Sequence, residues 1–463
     1  MGEEKLEIID VHTHLFNLNH LPVRGILQSY GIPYPVAVLA AILLRQFTNK
    51  PRKRNFDSSL FNELESSFPL ELLNAKENTV IDHISVNTRQ DTFFDPMFQF
   101  HLLEAIEKGH IELEPDLKSF AFGNQGLAED WDSKIYSIVK KILDLIKDGF
   151  EYIKWFFFMM RSEEEILKML ISSYGDDVGH FVFHMMDPQY FFAGKPRLSM
   201  KSKIRRMKKF INRSNGRLIG FVAFNPKRRT KKGMELIKYA LNNGFSGVKF
   251  YPPMGYRASQ NDEDIDGYYK IPNGQKIEQR VLNFFRFCVN EERDVPVFTH
   301  CTPSGFQAKP YKKSGVSSDP RFWENLLKMP GMKNLRLCLG HAGGEKGWAS
   351  GSEEVFENSY AYKVYQLCIN YPNVYCEVGF LAHIKNDDEK KNFINRLVDL
   401  FTRNEGEFHF ADKIMYGSDW HILFNDGLQV DYHKEFLEIF QNETLSKFKQ
   451  KFFSLNAKRY LKL

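Results

Sequence analysis

The sequence is poor in cysteine and contains no pair of cysteines at the C-x-x-C spacing. Its five cysteines are an odd number, so they cannot all be paired in disulfides within the chain. The lack of a disulfide framework indicates reduced thiols in a reducing compartment. A hydrophobic core must therefore hold the fold, and 463 residues are enough to build a sizeable one.

Long hydrophobic runs are also lacking. The first segment, MGEEKLEIID, starts acidic and has no apolar stretch of the kind that a signal peptide carries. The most hydrophobic stretch, PVAVLAAILL at 35–44, is too short to cross a bilayer and is followed by Arg45. These absences predict a cytoplasmic protein with no membrane partner.

No strong charge of either sign is present, because 63 basic and 58 acidic residues leave a formal net charge of only +5. Basic residues are concentrated at 195–217 and 225–232, but no recognisable nucleic-acid-binding module or interleaved aromatic residues accompany them. We interpret these segments as solvated helix faces and expect no nucleic-acid partner. The 42 phenylalanines predict aromatic-lined pockets, and we expect a small-molecule substrate.

Eight short apolar runs alternate with longer amphipathic segments along the chain. Segments such as KKGMELIKYALNNG carry apolar residues at helical spacing and end at a glycine. Parallel strands that are buried on both faces have nearly continuous apolar sequences. The pattern predicts an α/β protein with the (β/α)8 TIM barrel fold. The predicted strands are LEIIDVH at 6–12 and the runs at 180–186, 217–224, 246–251, 295–300, 335–341, 373–380 and 413–419.

The regular spacing fails once, between the first two strands. Residues 15–177 are far too many for a single crossover helix, so they predict a large, mostly helical insertion. The predicted domains are therefore a first barrel strand at 1–14, a helical insertion or lid at 15–177, and the remainder of the barrel at 178–463. Since the insertion leaves from the carboxyl end of the first strand, we expect it over the active site at the barrel mouth.

Polar side chains interrupt the apolar pattern at the carboxyl ends of the predicted strands. His12 and His14 lie two residues apart in the first strand, so their side chains point to the same face. The chemistry of TIM barrels takes place at this end of the strands. Because imidazole is the commonest metal ligand and unpaired buried charge is costly, the set predicts a divalent metal site. The other four members, which follow later strands, are Lys249, His300, His341 and Asp419.

These residues lie within short motifs. The motifs are D-x-H-x-H at 10–14, VFTHC around His300, LGHAGG around His341 and G-S-D-W at 417–420. Through them the sequence resembles the amidohydrolase superfamily of metal-dependent hydrolases. It looks closest to amidohydrolase family 2, the branch with aminocarboxymuconate semialdehyde decarboxylase-like enzymes. The resemblance covers the first strand and roughly residues 178–425.

The resemblance implies two alternative schemes for the metal, which we expect to be zinc. In both schemes the two strand-one histidines and Asp419 hold one ion. In the two-metal scheme His300 and His341 hold a second ion, and a carboxylated Lys249 bridges the two. In the one-metal scheme the single zinc also takes His300, and His341 acts as the catalytic acid and base. The sequence fits both, and the presence of Lys249 favours two metals.

The predicted function is hydrolysis of an amide, lactone or related ester bond of a small molecule. Metal-activated water attacks the carbonyl group, and Asp419 serves as general acid and base. One alternative is a single-zinc, non-oxidative decarboxylase or hydratase of a small unsaturated carboxylic acid. An alternative of another class is a catalytically inactive barrel that serves as a binding protein. A homodimer is the default expectation for a symmetric soluble enzyme.

Three further residues near strand ends are predicted to bind substrate. Arg257 could clamp a substrate carboxylate with its planar guanidinium group. Trp420 could line the pocket, and His184 could orient ligands at the end of the second strand. Glu377 and His421 are further candidates for hydrogen-bonding to metal ligands and so orienting them.

Overall fold

The computed structural model describes residues 6–30, 158–290, 292–423 and 430–463, together with the single positions Tyr34, Ala37, Ala41 and Thr48. The chain divides into two compact units, one formed by Met1–Ala37 with Lys154–Leu463 and the other by Val38–Ile153. The second unit lies almost wholly outside the described residues. The first unit contains every strand that the structure describes.

Eight parallel strands form a single sheet in which each strand pairs with the next along the chain. Sequential order of this kind requires a crossover after every strand, as in a TIM barrel. The predicted (β/α)8 barrel is therefore confirmed, and each strand overlaps a predicted apolar run. The strands are β1 Ile8–Thr13, β2 Val178–His184, β3 Leu218–Ala223, β4 Phe245–Phe250, β5 Val297–His300, β6 Leu337–Gly340, β7 Val374–Glu377 and β8 Ile414–Met415.

Hydrogen bonds between the last and first strands bring the two edges of the sheet together. The backbone N–H of Val11 donates to the carbonyl of Tyr416 over 3.2 Å. Three residues after Tyr416, the N–H of Asp419 donates to the carbonyl of His12 over 2.7 Å. The segment after β8 is thus held against β1, so the two predicted ligand regions become neighbours.

Helices connect and flank the strands, as the amphipathic segments predict. They are α1 Val23–Ser29, α2 Glu163–Tyr174, α3 Met200–Arg213, α4 Thr230–Leu241, α5 Gly274–Cys288, α6 Pro320–Leu327, α7 Glu345–Ala349, α8 Glu353–Glu357, α9 Tyr360–Asn370, α10 Asp387–Thr402, α11 Trp420–Leu423, α12 Tyr432–Ile439, α13 Glu443–Ser446 and α14 Asn456–Leu461. Among the described residues, none of these helices is both long and apolar enough to span a bilayer.

A hydrophobic core fills the barrel beneath the strand ends. Side chains from alternate strands, such as Val11 of β1, Phe221 of β3 and Phe298 of β5, pack in one cluster with Tyr460 of α14. Large buried aromatic side chains each remove a substantial apolar area from water, so this core is the main source of stability. It also gives the polar strand ends a rigid base.

The boundaries of the insertion, 15 and 177, stay a prediction because most of that segment lies outside the described residues. Within it, α2 begins at a capping box in which Ser162 accepts from the N–H of Glu165 and the Glu165 carboxylate accepts from the N–H of Ser162. The helix ends at Gly175, whose φ of +56° suits a residue without a side chain. Residues 132–157 of the predicted helical insertion lie outside the described residues.

Candidate metal centre

The structure brings all six predicted ligand residues into one continuous set of contacts at the carboxyl ends of the strands. Each is at least nine-tenths buried. His12, Lys249 and His300 lie within strands, and the other three follow strand ends directly or within a few residues. Their roles as ligands stay a prediction, but their convergence meets the geometric requirement for it.

The first cluster is formed by the two histidines of β1 and one carboxylate. Oδ1 of Asp419 lies 3.4 Å from Nε2 of His14 and 3.7 Å from Nε2 of His12. One ligand atom of each residue lies within 4.8 Å of the other two. Two imidazole nitrogens and a carboxylate oxygen are the donor types that zinc and other first-row ions take in proteins.

The tautomer of His14 provides a test of whether a cation fits this cluster. Nδ1 of His14 lies 2.8 Å from the carbonyl oxygen of His184. A carbonyl oxygen only accepts, so Nδ1 carries the proton and Nε2 of the neutral ring presents a lone pair. Burial lowers the pKa of His14 well below its ordinary value, which keeps the ring neutral. A lone pair facing the carboxylate of Asp419 is repulsive unless a cation or a proton lies between them, so the donor set fits a metal ion.

The second cluster is a pair of histidines at the ends of β5 and β6. Nε2 of His300 donates to the carbonyl of Ser304 over 3.0 Å, and Nδ1 of His341 donates to the carbonyl of Gly379 over 2.8 Å. The remaining nitrogens, Nδ1 of His300 and Nε2 of His341, face each other at 2.9 Å. Burial lowers the pKa of both rings. Two lone pairs therefore oppose each other, and a cation shared between them also fits here.

Lys249 lies beside His12 of the first cluster. Its Nζ lies 3.5 Å from Nε2 of His12 and 4.2 Å from the centre of the Phe298 ring. Burial lowers the pKa of Lys249 to about 8, although the carboxylates of Asp419 and Glu377 oppose the shift. A pKa near neutrality leaves a fraction of the amine uncharged, which carboxylation by CO₂ requires. The carboxylated form itself stays a prediction.

Burial raises the pKa of the Asp419 carboxyl to about 7, and the nearby Lys249 ammonium group acts in the opposite direction. A carboxyl group with a pKa near 7 can both accept and donate a proton under neutral conditions. The backbone of Asp419 has a φ of +51° and that of His341 a φ of +59°. Left-handed backbone at residues other than glycine stores strain and is concentrated at functional sites.

Glu377, at the end of β7, has a larger part in the site than the sequence indicates. Its Oε1 accepts from Nδ1 of His12 over 3.0 Å and from the N–H of His341 over 2.7 Å. Its Oε2 accepts from the N–H of Gly379. The sequence signal was a single carboxylate in the apolar run NVYCEVGF, which suggested an orienting role without naming a partner.

Asp10 is a second residue whose role the sequence did not reveal. Its Oδ1 accepts from the N–H groups of His12 and Ser418, each over 3.0 Å, and its Oδ2 accepts from the Ser418 hydroxyl. This carboxylate joins β1 to the segment after β8 and so fixes the spacing between His12 and Asp419. The available signal was the D-x-H-x-H motif, but the register of β1 shifts between Asp10 and Thr13, so simple strand alternation does not give the side-chain directions there.

The sequence now decides the family. The family model described as amidohydrolase, Amidohydro_2, matches residues 199–463, which is more than half of the chain. The protein belongs to the amidohydrolase family. It is therefore an enzyme of this family, as its motifs predict. A comparison with curated protein sequences gives no match.

Three solved structures illustrate what this amidohydrolase is similar to. One is a probable 2-pyrone-4,6-dicarboxylic acid hydrolase from Acinetobacter baumannii with citric acid bound, at 12% identity over 65% of this chain and 88% of that chain, with a TM-score of 0.38. Another is 5-carboxyvanillate decarboxylase from Novosphingobium aromaticivorans complexed with manganese, at 15% identity over 80% and 93%, with a TM-score of 0.39. The third is an amidohydrolase from Burkholderia multivorans with bound zinc, at 11% identity over 67% and 92%, with a TM-score of 0.41. The family assignment rests on the sequence match alone.

The three predicted substrate-binding residues of the amidohydrolase have structural contacts. Arg257 is fully buried, and its Nη atoms donate to the carbonyls of Gln260 and Tyr269 over 3.0 and 2.8 Å. Trp420 is also fully buried, with its ring 5.5 Å from that of Phe158. Substrate binding by either residue stays a prediction; these contacts show that Arg257 supports its own loop and that Trp420 packs against Phe158.

His184 supports the first strand directly. Its Nε2 donates to the carbonyl of Val11 over 2.9 Å, and its own carbonyl accepts from His14. Its buried Nδ1 has no hydrogen-bond partner among the described residues. This unpaired acceptor lies on a ring whose centre is 5.2 Å from that of His12, so it is a group that water or substrate could satisfy. Its predicted role in orienting ligands remains a proposal.

Proposed function

We propose that this enzyme is a metal-dependent hydrolase that cleaves an amide, lactone or related ester bond of a small molecule. One observation carries the proposal: Nε2 of His12 and Nε2 of His14 both face Oδ1 of Asp419, at 3.7 and 3.4 Å, while their Nδ1 atoms donate to Glu377 and to the carbonyl of His184. Such an arrangement is stable when it holds a cation. Of the candidate residues, Asp419 combines contact with both β1 histidines and a pKa near neutrality.

The residues that would hold one ion are His12, His14 and Asp419. His300 and His341 would hold a second ion, and Lys249 lies where a carboxylated side chain could reach both. A divalent cation at such a site supplies a lowered pKa for water and polarisation of a substrate carbonyl.

Asp419 would perform the proton transfers. Its carboxylate accepts a proton as the water oxygen bonds to the substrate carbonyl carbon. It then gives that proton to the leaving nitrogen or oxygen as the bond to the carbonyl carbon breaks. General acid–base catalysis of this kind contributes about 10²–10⁴-fold to the rate.

The orientation of His341 favours one alternative reaction, decarboxylation of a small unsaturated acid with a single metal. Because Nδ1 of His341 donates to the carbonyl of Gly379, its Nε2 carries the lone pair and would be the atom that exchanges a proton. In this reaction the bond between the substrate carbon and the carboxyl group breaks, CO₂ leaves, and the protonated His341 gives its proton to the carbon. His300 would then bind the single ion.

The partner and location proposals accompany either reaction. We propose a small-molecule substrate, a homodimer and a cytoplasmic location, with no nucleic-acid or membrane partner. A combined experiment separates the reactions. The full chain is stripped with a chelator, reloaded with zinc or manganese, and analysed for bound metal. It is then assayed against small lactones, amides and esters by acid or amine release and against unsaturated acids by CO₂ release.

Two equivalents of metal with bond hydrolysis would support the leading proposal. One equivalent with CO₂ release would support the alternative. A chain that takes up no metal and turns over neither substrate class would overturn both and leave a binding protein.

A further inference from the structure

Glu377 is a fully buried carboxylate that receives three hydrogen bonds from the described residues, and none of these donors is a lysine or arginine side chain. Its donors are Nδ1 of His12 and the backbone N–H groups of His341 and Gly379. All three partners donate, so the two oxygens of an ionised carboxylate satisfy them fully. A buried carboxylate that lost these donors would strongly destabilise the fold, so the position of the carboxylate depends on all three hydrogen bonds.

Three glycines leave room for this carboxylate, because a Cβ at any of the three would lie close to one of its oxygens. A Cβ at Gly417 would lie 2.2 Å from Oε2, and one at Gly379 would lie 2.7 Å from the same atom. A Cβ at Gly340 would lie 3.2 Å from Oε1. The ends of β6, β7 and β8 thus all make room for one side chain. Such a space is specific to Glu377 and indicates a defined position for its carboxylate.

We propose that Glu377 is a positioning residue that fixes the tautomer of His12. By accepting from Nδ1, the carboxylate keeps the ring proton there and leaves a lone pair on Nε2, the atom that faces Lys249 and Asp419. The same carboxylate also accepts from the backbone N–H of His341 and so helps to position the second cluster. The inference rests on the proposed function, since a fixed tautomer matters only if His12 binds a metal.

Replacement of Glu377 by glutamine tests the proposal with almost no change of shape. The amide has one acceptor oxygen and one donor nitrogen where the carboxylate has two acceptors. With its nitrogen towards Gly379, it places two N–H groups against each other. With its nitrogen towards His12, it moves the ring proton to Nε2 and removes the lone pair. Carboxylate partners of metal-binding histidines typically contribute about 10–100-fold to metal affinity, so we expect that loss in Glu377→Gln.

The chain offers a matched control in the pair formed by Glu163 and His20. Oε1 of Glu163 lies 2.9 Å from Nε2 of His20, and the Glu163 side chain is 2% exposed. Both residues lie outside the proposed metal centre. Glu163→Gln removes the same charge from a similar buried contact, so it should lower thermal stability and leave metal affinity unchanged.

The experiment uses the metal-free full chain. Zinc affinity is measured by titration calorimetry for the wild type, Glu377→Gln and Glu163→Gln. The His12 tautomer is read from ¹⁵N chemical shifts in histidine-labelled, metal-free wild type, with His12→Gln used to assign the signal. The proposal expects Nδ1-protonated His12, weaker zinc binding in Glu377→Gln by about 10–100-fold, and wild-type affinity in Glu163→Gln.

Equal zinc affinity of Glu377→Gln and wild type, or an Nε2-protonated His12, would overturn the proposal. So would an equal loss of affinity in both glutamine variants, because a general loss of stability would then explain it. If the wild type itself takes no zinc, the proposed function fails, while the tautomer of His12 still decides whether Glu377 sets it. The wild-type spectrum also gives a decision if Glu377→Gln does not fold.

Discussion

Nδ1 of His300 lies 2.9 Å from Nε2 of His341 in a contact that has no proton to share, because the other nitrogen of each ring donates to a backbone carbonyl. This relationship makes the metal-free site electrostatically unfavourable. Binding of the proposed metal would therefore be coupled to the stability of the fold.

Removal of metal should lower the stability of the protein. Zinc at 100 times its dissociation constant stabilises a folded chain by about 2.7 kcal/mol if the unfolded chain does not bind it. Thermal unfolding of chelator-stripped and zinc-loaded protein measures this difference. His300→Ala should reduce the zinc-induced rise in Tm. His180→Ala, which removes a partly exposed histidine paired with Glu7, should retain the rise.

Replacement of Asp419 by asparagine should abolish turnover while leaving much of the metal bound. Asparagine keeps an oxygen near the β1 histidines but cannot take up the proton, so we expect a loss of at least about 10²-fold in kcat. Steady-state kinetics on the substrate found in the panel, with metal analysis of the same sample, measures both quantities. Asp412→Asn, which alters an acidic residue paired with Lys451 and Arg459, is the control. Undiminished kcat in Asp419→Asn would contradict the role.

Alanine at Gly417 should disturb the site by steric contact alone. The added Cβ would lie 2.2 Å from the Glu377 carboxylate and 3.1 Å from Cβ of His12, so one of these groups must move. We expect weaker zinc binding and a lower Tm. Gly233→Ala is the matched control: Gly233 lies in α4, and its added Cβ would meet no atom closer than 3.5 Å. That change should stabilise the protein by about 0.4–1 kcal/mol. Equal zinc affinity in the two variants would contradict the prediction.

The stability of the protein should fall between pH 7 and pH 5, in part because of His20. Burial lowers the pKa of His20 to about 4, against which Glu163 acts, while an unfolded chain has the ordinary value of 6.5. Between these values the unfolded state binds more protons, so acid favours unfolding. The difference between these two pKa values lowers the free energy of unfolding by about 2 kcal/mol at pH 5.

Urea unfolding of the wild type and His20→Gln at both pH values measures the His20 contribution. The loss of stability from pH 7 to pH 5 should be smaller in the variant by about that amount. The same pH dependence in both proteins would show that His20 is not buried in the neutral form.

The barrel and the positions of its polar strand ends could be predicted because both follow from local patterns. Buried parallel strands have continuous apolar sequences, and residues such as Lys249 and Asp419 stand out as charges at their ends. The partners of those residues could not be predicted in the same way. Glu377 contacts His12, which is 365 positions away, and fits beside glycines at or just after the ends of three different strands.

The conformations of the loops could not be predicted from the sequence pattern either. Arg257 was predicted as a substrate clamp because a guanidinium group near a strand end suits a carboxylate. In the structure its Nη atoms are taken up by carbonyls of its own loop. No periodicity describes such a loop, since its backbone hydrogen bonds depend on the whole path of the chain.

The seam between β8 and β1 has a consequence for biosynthesis. His12 leaves the ribosome more than four hundred residues before Asp419, and the N–H of Asp419 reaches the carbonyl of His12 only when the last strand closes the barrel. A nascent chain therefore carries two of the proposed ligands of the first cluster but lacks the third until its synthesis is almost complete. Loading of a metal into the full proposed ligand set would thus be a late event, which follows the joining of the two edges of the sheet.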